Sequence, residues 1–307
     1  MSVEVTPVDL SVRIGALELK NPVMPASGTF GPELGAFIDF DRLGALVPKT
    51  VTKSPRVGNP TPRVCETPCG MINSIGIQSP GLEAYLKRVL PLYRAYRTPV
   101  IASIEADTID EFAEMAEAVA AEDVVKALEL NISCPNLEKD GLAFGMDADT
   151  TYRLVRKVKE VTDKPVIAKL TPNVTSIQDI ARAAEAGGAD ALTIANTILA
   201  MAIDIHTRRP KIGNVMGGLS GPAIRPIIVR MIYQAYRVVC VPIIGSGGVM
   251  SGEDAIEMML AGATAVQVGT ANFVDPTLML RIIEEIKNYM MEKGYQKVSD
   301  LVGKVEV

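Results

Sequence analysis

Short apolar runs alternate with longer amphipathic stretches from about residue 22 to the end of the chain, the pattern of a parallel sheet built from strand–helix units. The runs predict eight strands, at residues 23–26, 45–50, 100–104, 127–131, 166–170, 191–196, 243–246 and 265–268, with helices between them. Three helix starts carry a hydroxyl followed three residues later by a carboxylate: Thr108 with Glu111, Ser176 with Asp179, and Ser251 with Asp254. Ala186-Gly187-Gly188-Ala189-Asp190 and Ala261-Gly262-Ala263 end two helices on glycine and lead straight into strands. This order predicts an α/β fold of the (β/α)8 TIM-barrel type, formed as a single domain over residues 1–307.

Two connections are too long for ordinary loops, residues 53–80 after the second strand and 197–221 after the sixth. Both fall on the face formed by the carboxyl ends of the strands, so they are expected to cover a ligand there. No internal repeat, low-complexity tract or linker marks a second domain.

Composition narrows the classes. With 48% hydrophobic and 22% charged residues the chain can bury a large core, and a formal charge of −5 gives no basic footprint for nucleic acid. Residues 1–10 carry two acidic residues and no basic stretch ahead of a long apolar run, so neither a signal peptide nor a membrane anchor is expected. The four cysteines, at 65, 69, 134 and 240, form no disulfide framework and fit a reducing cytoplasm. With His206 as the single histidine, Cys65 and Cys69 are not expected to hold a metal. His206 receives no catalytic role, and the neighbouring Arg208 and Arg209 read as a solvated charge cluster.

The fourth strand runs into Asn131-Ile132-Ser133-Cys134-Pro135-Asn136, and Pro135 stops it, so Cys134 is expected at a strand's carboxyl end. From the residues alone two readings stay open: a small buried hydrophobe, or a thiol placed to move a proton. Other strand ends carry Ser27-Gly28, Lys49-Thr50, Lys169, Asn196-Thr197, Gly247-Gly248 and Gly269-Thr270. The last two pairs follow strands seven and eight, where a barrel holds phosphate on backbone N–H groups; the alternative is that they are only tight turns. Gly245-Ser246-Gly247-Gly248 lacks the dinucleotide fingerprint, which favours a mononucleotide cofactor. A lone strand-end lysine suits a Schiff base, a phosphate contact or a solvated charge, whereas Lys49 and Lys169 together suit an anionic cofactor ring beside an anionic substrate.

Six strings in order carry a resemblance: Pro25-Ala26-Ser27-Gly28, Asn59-Pro60-Thr61-Pro62-Arg63, Met71 through Gln78, Asn131 through Asn136, Gly218 through Ile224, and Val268 through Phe273. Together they resemble the dihydroorotate dehydrogenases, FMN-containing barrels that oxidise dihydroorotate to orotate in pyrimidine (UMP) synthesis. Cys134 is similar to the cysteine base of the soluble class, and Asn73-Ser74-Ile75-Gly76-Ile77-Gln78 with Cys134-Pro135-Asn136-Leu137 looks most like the NAD-linked type 1B subclass.

The resemblance implies that Cys134 removes the C5 proton while FMN takes the C6 hydride. It implies flavin contacts at Ser27, Lys49, Thr50, Ser103, Asn131, Lys169, Ala195 and Gly221, with Gly247, Gly248, Gly269 and Thr270 around the phosphate. Substrate contacts are implied at Lys49, Asn73, Ser74, Ile75, Gly76, Ile77, Asn131, Asn136, Asn196 and Thr197. Ser103 stands where asparagine is frequent and Ala195 where isoleucine is frequent. The chain offers no dinucleotide fold and no cysteines for an iron–sulfur cluster. A partner is therefore implied: an electron-transfer subunit carrying FAD and [2Fe-2S], joined to a barrel homodimer as a heterotetramer that reduces NAD⁺. The alternatives are a related FMN enzyme acting on other dihydropyrimidines, against which Asn136 stands where a histidine is common, and a flavin-free barrel, either a lysine aldolase or a binding subunit.

Overall fold

The computed structural model describes residues 8–133 and 144–307. Seven parallel strands form one curled sheet, in the spatial order Val23–Pro25, Ala265–Val268, Ile243–Ser246, Ala191–Ile194, Val166–Lys169, Val125–Asn131 and Val100–Ile104. Their side chains are almost all buried, as they must be in strands that face a barrel interior on one side and helices on the other. The expected barrel is present, with one correction. The strand predicted at 45–50 is not continuous: it touches its neighbour through bridges at Leu46 and Val51 alone. Pro48 lies between them and has no N–H to donate, so the ladder cannot run through it. Closure survives because Gly44 N–H donates to Val23 O on one side (2.9 Å), while Leu46 and Val51 donate to Pro99 O and Ser103 O on the other (2.9 and 3.0 Å).

Helices Ile109–Ala120, Ala148–Lys159, Ile177–Ala186, Arg225–Tyr236, Gly252–Ala261 and Leu278–Lys293 surround the sheet. The three predicted caps form, with Thr108, Ser176 and Ser251 each accepting from the backbone N–H three residues on. Two of the partner carboxylates reach one residue further back than a capping box does: Glu111 accepts from Asp107 N–H and Asp254 from Met250 N–H. A hairpin that the periodicity did not signal, Val12–Ile14 with Leu17–Leu19, lies at the opposite end of the barrel, where Gly15 packs against Asp190 just ahead of a strand.

The two long connections are not irregular covers. Val64–Thr67 and Gly70–Asn73 come from the first, Ile198–Ala200 and Gly217–Ser220 from the second, and they form a four-stranded antiparallel sheet in which Gly70–Asn73 pairs with Gly217–Ser220. The sheet hangs over the carboxyl ends of the barrel strands and walls the space above them.

Phe112 anchors the Ile109–Ala120 helix in the core. It is fully buried and meets Phe144 edge to face, with ring centroids 5.6 Å apart. Phe112→Ala is expected to cost about 3–5 kcal/mol, measured as a lower urea midpoint with an unchanged m-value; a midpoint equal to wild type would contradict this packing.

Candidate active site

The carboxyl ends of the strands and the antiparallel cap enclose a cleft of about 530 Å³. Sequence-predicted residues reach it from every part of the barrel. Ser27 and Gly28 follow the first strand, Lys49 and Thr50 leave the broken closure segment after Pro48, and Asn131 and Lys169 end their strands. Ala195, Asn196 and Thr197 follow Ala191–Ile194; Gly247, Gly248, Gly269 and Thr270 follow the last two strands; Gly221 follows the cap strand Gly217–Ser220. From above come Asn73, Ser74, Ile75, Gly76 and Ile77. Cys134 and Asn136 lie outside the described residues.

Ser103 departs from expectation. It is fully buried below the cleft wall and shares a 2.9 Å hydrogen bond with the Thr50 hydroxyl, so it supports Thr50 from beneath and does not line the cleft. Ala195 lines the cleft with its side chain buried, and its N–H donates to Ser246 O at 2.9 Å.

Two lysines face the cleft, Lys169 at its floor and Lys49 on its wall. Lys169 donates to Gln267 Oε1 at 3.0 Å and to Glu129 Oε1 at 3.4 Å, and all three side chains are buried. Lys49 is half-buried beside Gly28, where an added Cβ would come within 3.0 Å of its Nζ. Burial holds the Lys49 ammonium below the ordinary lysine range; the Glu105 carboxylate opposes that shift and the Lys169 charge reinforces it.

Glu105 was not singled out by the sequence, yet it organises one wall. It is buried, accepts from Arg56 Nη1 at 2.9 Å and from Asn131 Nδ2 at 3.3 Å. Asn131 Oδ1 in turn accepts from Asn196 Nδ2 at 3.1 Å, and Asn196 Oδ1 accepts from Thr197 N–H at 2.8 Å. This chain sets the orientation of both amides and, among the described residues, leaves each with a spare N–H and a spare lone pair to present. Asn173 and Asn214 also escaped the sequence reading. Asn173 ties the barrel top to the cap by donating to Thr197 O (3.1 Å) and accepting from Leu199 N–H (2.9 Å), and Asn214 joins the two long connections by donating to Ser74 Oγ at 3.0 Å.

The cap segment over the floor is held in a costly shape. Gly76 and Ile77 both have positive φ, 73° and 45°, and a β-branched residue there is strained by about 1–3 kcal/mol. The strain is held by Asn59, whose amide donates to Ser74 O and Ser74 Oγ, and by the pairing of Asn59 N–H with Ile75 O at 2.9 Å.

At the far end of the cleft, the N–H groups of Gly247, Gly248 and Gly269 have no hydrogen-bond partner among the described residues. Gly248 has φ +84°, and a Cβ there would stand 2.8 Å from both Gly221 O and Arg225 Cβ. Bare, converging N–H groups of this kind suit a phosphate. No group of three or more His, Cys, Asp or Glu side chains among the described residues is arranged to hold a metal ion, and no helix among them is long and apolar enough to cross a membrane. Cys65 is half-buried in a cap strand, and Cys69 and Cys240 are exposed. Gly248→Ala is expected to destabilise the protein by about 1–3 kcal/mol, read as a fall in Tm; an unchanged Tm would show that the turn does not need glycine.

Comparison with known proteins places these features in a family. A dihydroorotate dehydrogenase family model matches residues 9–290. The dihydroorotate dehydrogenase B (NAD(+)) catalytic subunit of Thermoanaerobacter pseudethanolicus is 50% identical over 302 residues, covering 98% of this chain and 100% of that protein. The catalytic subunit of the same name from Desulforudis audaxviator is 50% identical over 298 residues (96% of this chain, 97% of that protein), and that of Geobacter metallireducens 47% over 301 residues (97% and 99%). Matched along nearly its whole length, with its cleft built where the family's strings fall, the chain belongs to the dihydroorotate dehydrogenase family.

Proposed function

We propose that this chain is the catalytic subunit of an NAD-linked dihydroorotate dehydrogenase of the cytoplasm, oxidising dihydroorotate to orotate in pyrimidine synthesis, with residues 1–307 forming one FMN-binding catalytic domain. The observation that carries this reading is the convergence of Lys49 and the oriented amides of Asn131 and Asn196 in one cleft, above a buried lysine and beside glycine N–H groups that have no partner among the described residues. A cyclic carboxylate bearing ring N–H and C=O groups needs a cation for its carboxylate and paired donors and acceptors for its edge.

The residues present fit FMN. Glycines at 221, 247 and 248 line the cleft where a Cβ would crowd neighbouring protein atoms, and the N–H groups of 247, 248 and 269, unpartnered among the described residues, suit the phosphate. Ser27, Thr50 and Lys169 would face the ring system. FMN, when bound, supplies the acceptor for the hydride leaving C6 of dihydroorotate. Everything else falls to the chain's own side chains. Lys49 draws in the substrate carboxylate, and Asn73, Asn131 and Asn196 hold the ring edge. The segment Ser74 to Ile77 closes over it. Cys134 takes the C5 proton, with Asn136 and Thr197 completing the substrate contacts. A free thiol titrates near ~8.5, so this role asks for cations such as Lys49 nearby.

The electrons must then leave the chain. An electron-transfer subunit carrying FAD and [2Fe-2S] is the proposed recipient, assembled with a homodimer of this chain as a heterotetramer that reduces NAD⁺. What supports a partner is the description of the relatives as catalytic subunits. What supports pairing of the barrels is the exposed apolar row Leu199, Met201, Ile203 and Ile205, which starts in the cap strand Ile198–Ala200 and runs on from it.

Cys134→Ala is expected to lower kcat by about 10²–10⁴-fold, the usual share of a general base, while FMN stays bound; oxidation of dihydroorotate at the wild-type rate would remove Cys134 from the mechanism. Lys49 sets the alkaline side of the profile. Because burial lowers its pKa, its charge is lost at a pH below the ordinary lysine value of about 10.4, so kcat/KM should fall as pH rises through that lowered value. Lys49→Arg keeps its charge across this range and should shift that limb to higher pH. An alkaline limb that stays in place in the variant would assign it to another group.

A further inference from the structure

Beneath the cleft floor the barrel interior holds a carboxylate that the proposed reaction does not use. Glu129 has no solvent exposure. Its Oε2 accepts from Gln267 Nε2 at 2.6 Å and from Thr193 Oγ1 at 3.1 Å, and its Oε1 from Lys169 Nζ at 3.4 Å. Gln267 closes the ring by accepting from the same ammonium through Oε1 at 3.0 Å. The four side chains come from four strands, Val125–Asn131, Val166–Lys169, Ala191–Ile194 and Ala265–Val268, and all point inward. The remaining donor of Lys169 belongs to the cleft, whose floor this residue forms.

We propose that Glu129 is a positioning residue whose buried charge sets the reduction potential of the bound flavin by offsetting the field of Lys169. The inference rests on the FMN reading above. An ammonium facing the flavin ring would favour its reduced form, which carries more negative charge. Glu129, a buried counter-charge behind that ammonium, weakens this field in a region where little water screens it. Gln267 adds a second constraint. Its amide is oriented by donating to Glu129 and accepting from Lys169, so the ammonium is aimed as well as balanced. A purely structural role would need the same hydrogen bonds and no effect of charge.

The two readings separate in equilibrium redox titrations of the FMN-bound protein, followed by flavin absorbance. Glu129→Gln removes the charge and keeps the shape. It should raise the reduced-to-oxidised ratio at a fixed poise by about tenfold, a positive shift of ~30 mV for a two-electron couple. Lys169→Met should shift the potential the opposite way, and the double variant should return most of the way to wild type. Thr193→Val, which removes a hydrogen bond and no charge, should leave the potential in place. Glu129→Gln with FMN bound and an unmoved potential would overturn the inference, as would shifts of the same sign in both single variants. If Glu129→Gln does not yield folded flavoprotein, the double variant is compared with Lys169→Met, and equal potentials overturn the coupling. A wild-type protein that carries no flavin and takes none up overturns the functional reading, and this inference with it. Bound flavin with unmoved potentials overturns the inference alone.

Discussion

The cleft depends on how the barrel closes. Seven strands are held by regular ladders, but the sheet becomes a closed wall only through the segment 44–51, bonded to Val23 on one side and to Pro99 and Ser103 on the other. Pro48 interrupts that segment and lets the chain bow, and the two residues that follow it are Lys49 and Thr50, both on the cleft wall. The same interruption that weakens the sheet therefore places a lysine on the cleft wall. The hydrogen bonds on either side of Pro48 offset the missing donor, as a closed barrel requires of buried backbone.

Two charge systems meet at this floor. Lys169 is balanced from below by Glu129, and Lys49 feels Glu105, itself paired with Arg56 at 2.9 Å. Buried ions of this kind are tolerated only in well-bonded sets, since removing one partner typically costs about 3–5 kcal/mol. Each carboxylate has several donors. The result is a polar floor whose net charge is modest but whose individual charges are fixed in place. An anion and a flat cofactor ring can then be bound without rebuilding the site, which is how electrostatic preorganisation assists a reaction.

Much of this was legible in the sequence. Strands with short apolar runs and helices with hydroxyl caps were readable because both signals are local: an unbroken apolar run or a bonded pair three residues apart. The converging strand ends Ser27, Lys49, Asn131, Lys169 and Asn196 followed from the strand count. Non-local facts were not readable. Pairing of Gly70–Asn73 with Gly217–Ser220 joins segments far apart in the chain, so the two long connections read as loops. Glu129 and Glu105 read as ordinary strand and strand-end residues, because their partners Gln267, Thr193 and Arg56 arrive from other elements. The resemblance implies a flavin contact at Ser103, whereas its pleat position turns it inward beneath Thr50.

On the proposed function, this barrel alone carries the dihydroorotate half-reaction. Anaerobic addition of dihydroorotate to the purified FMN-bound chain, with no partner subunit and no NAD⁺ present, tests it most directly. The flavin absorbance should bleach and orotate should appear in an amount equal to the flavin. A flavin that stays oxidised in the presence of excess dihydroorotate would contradict it.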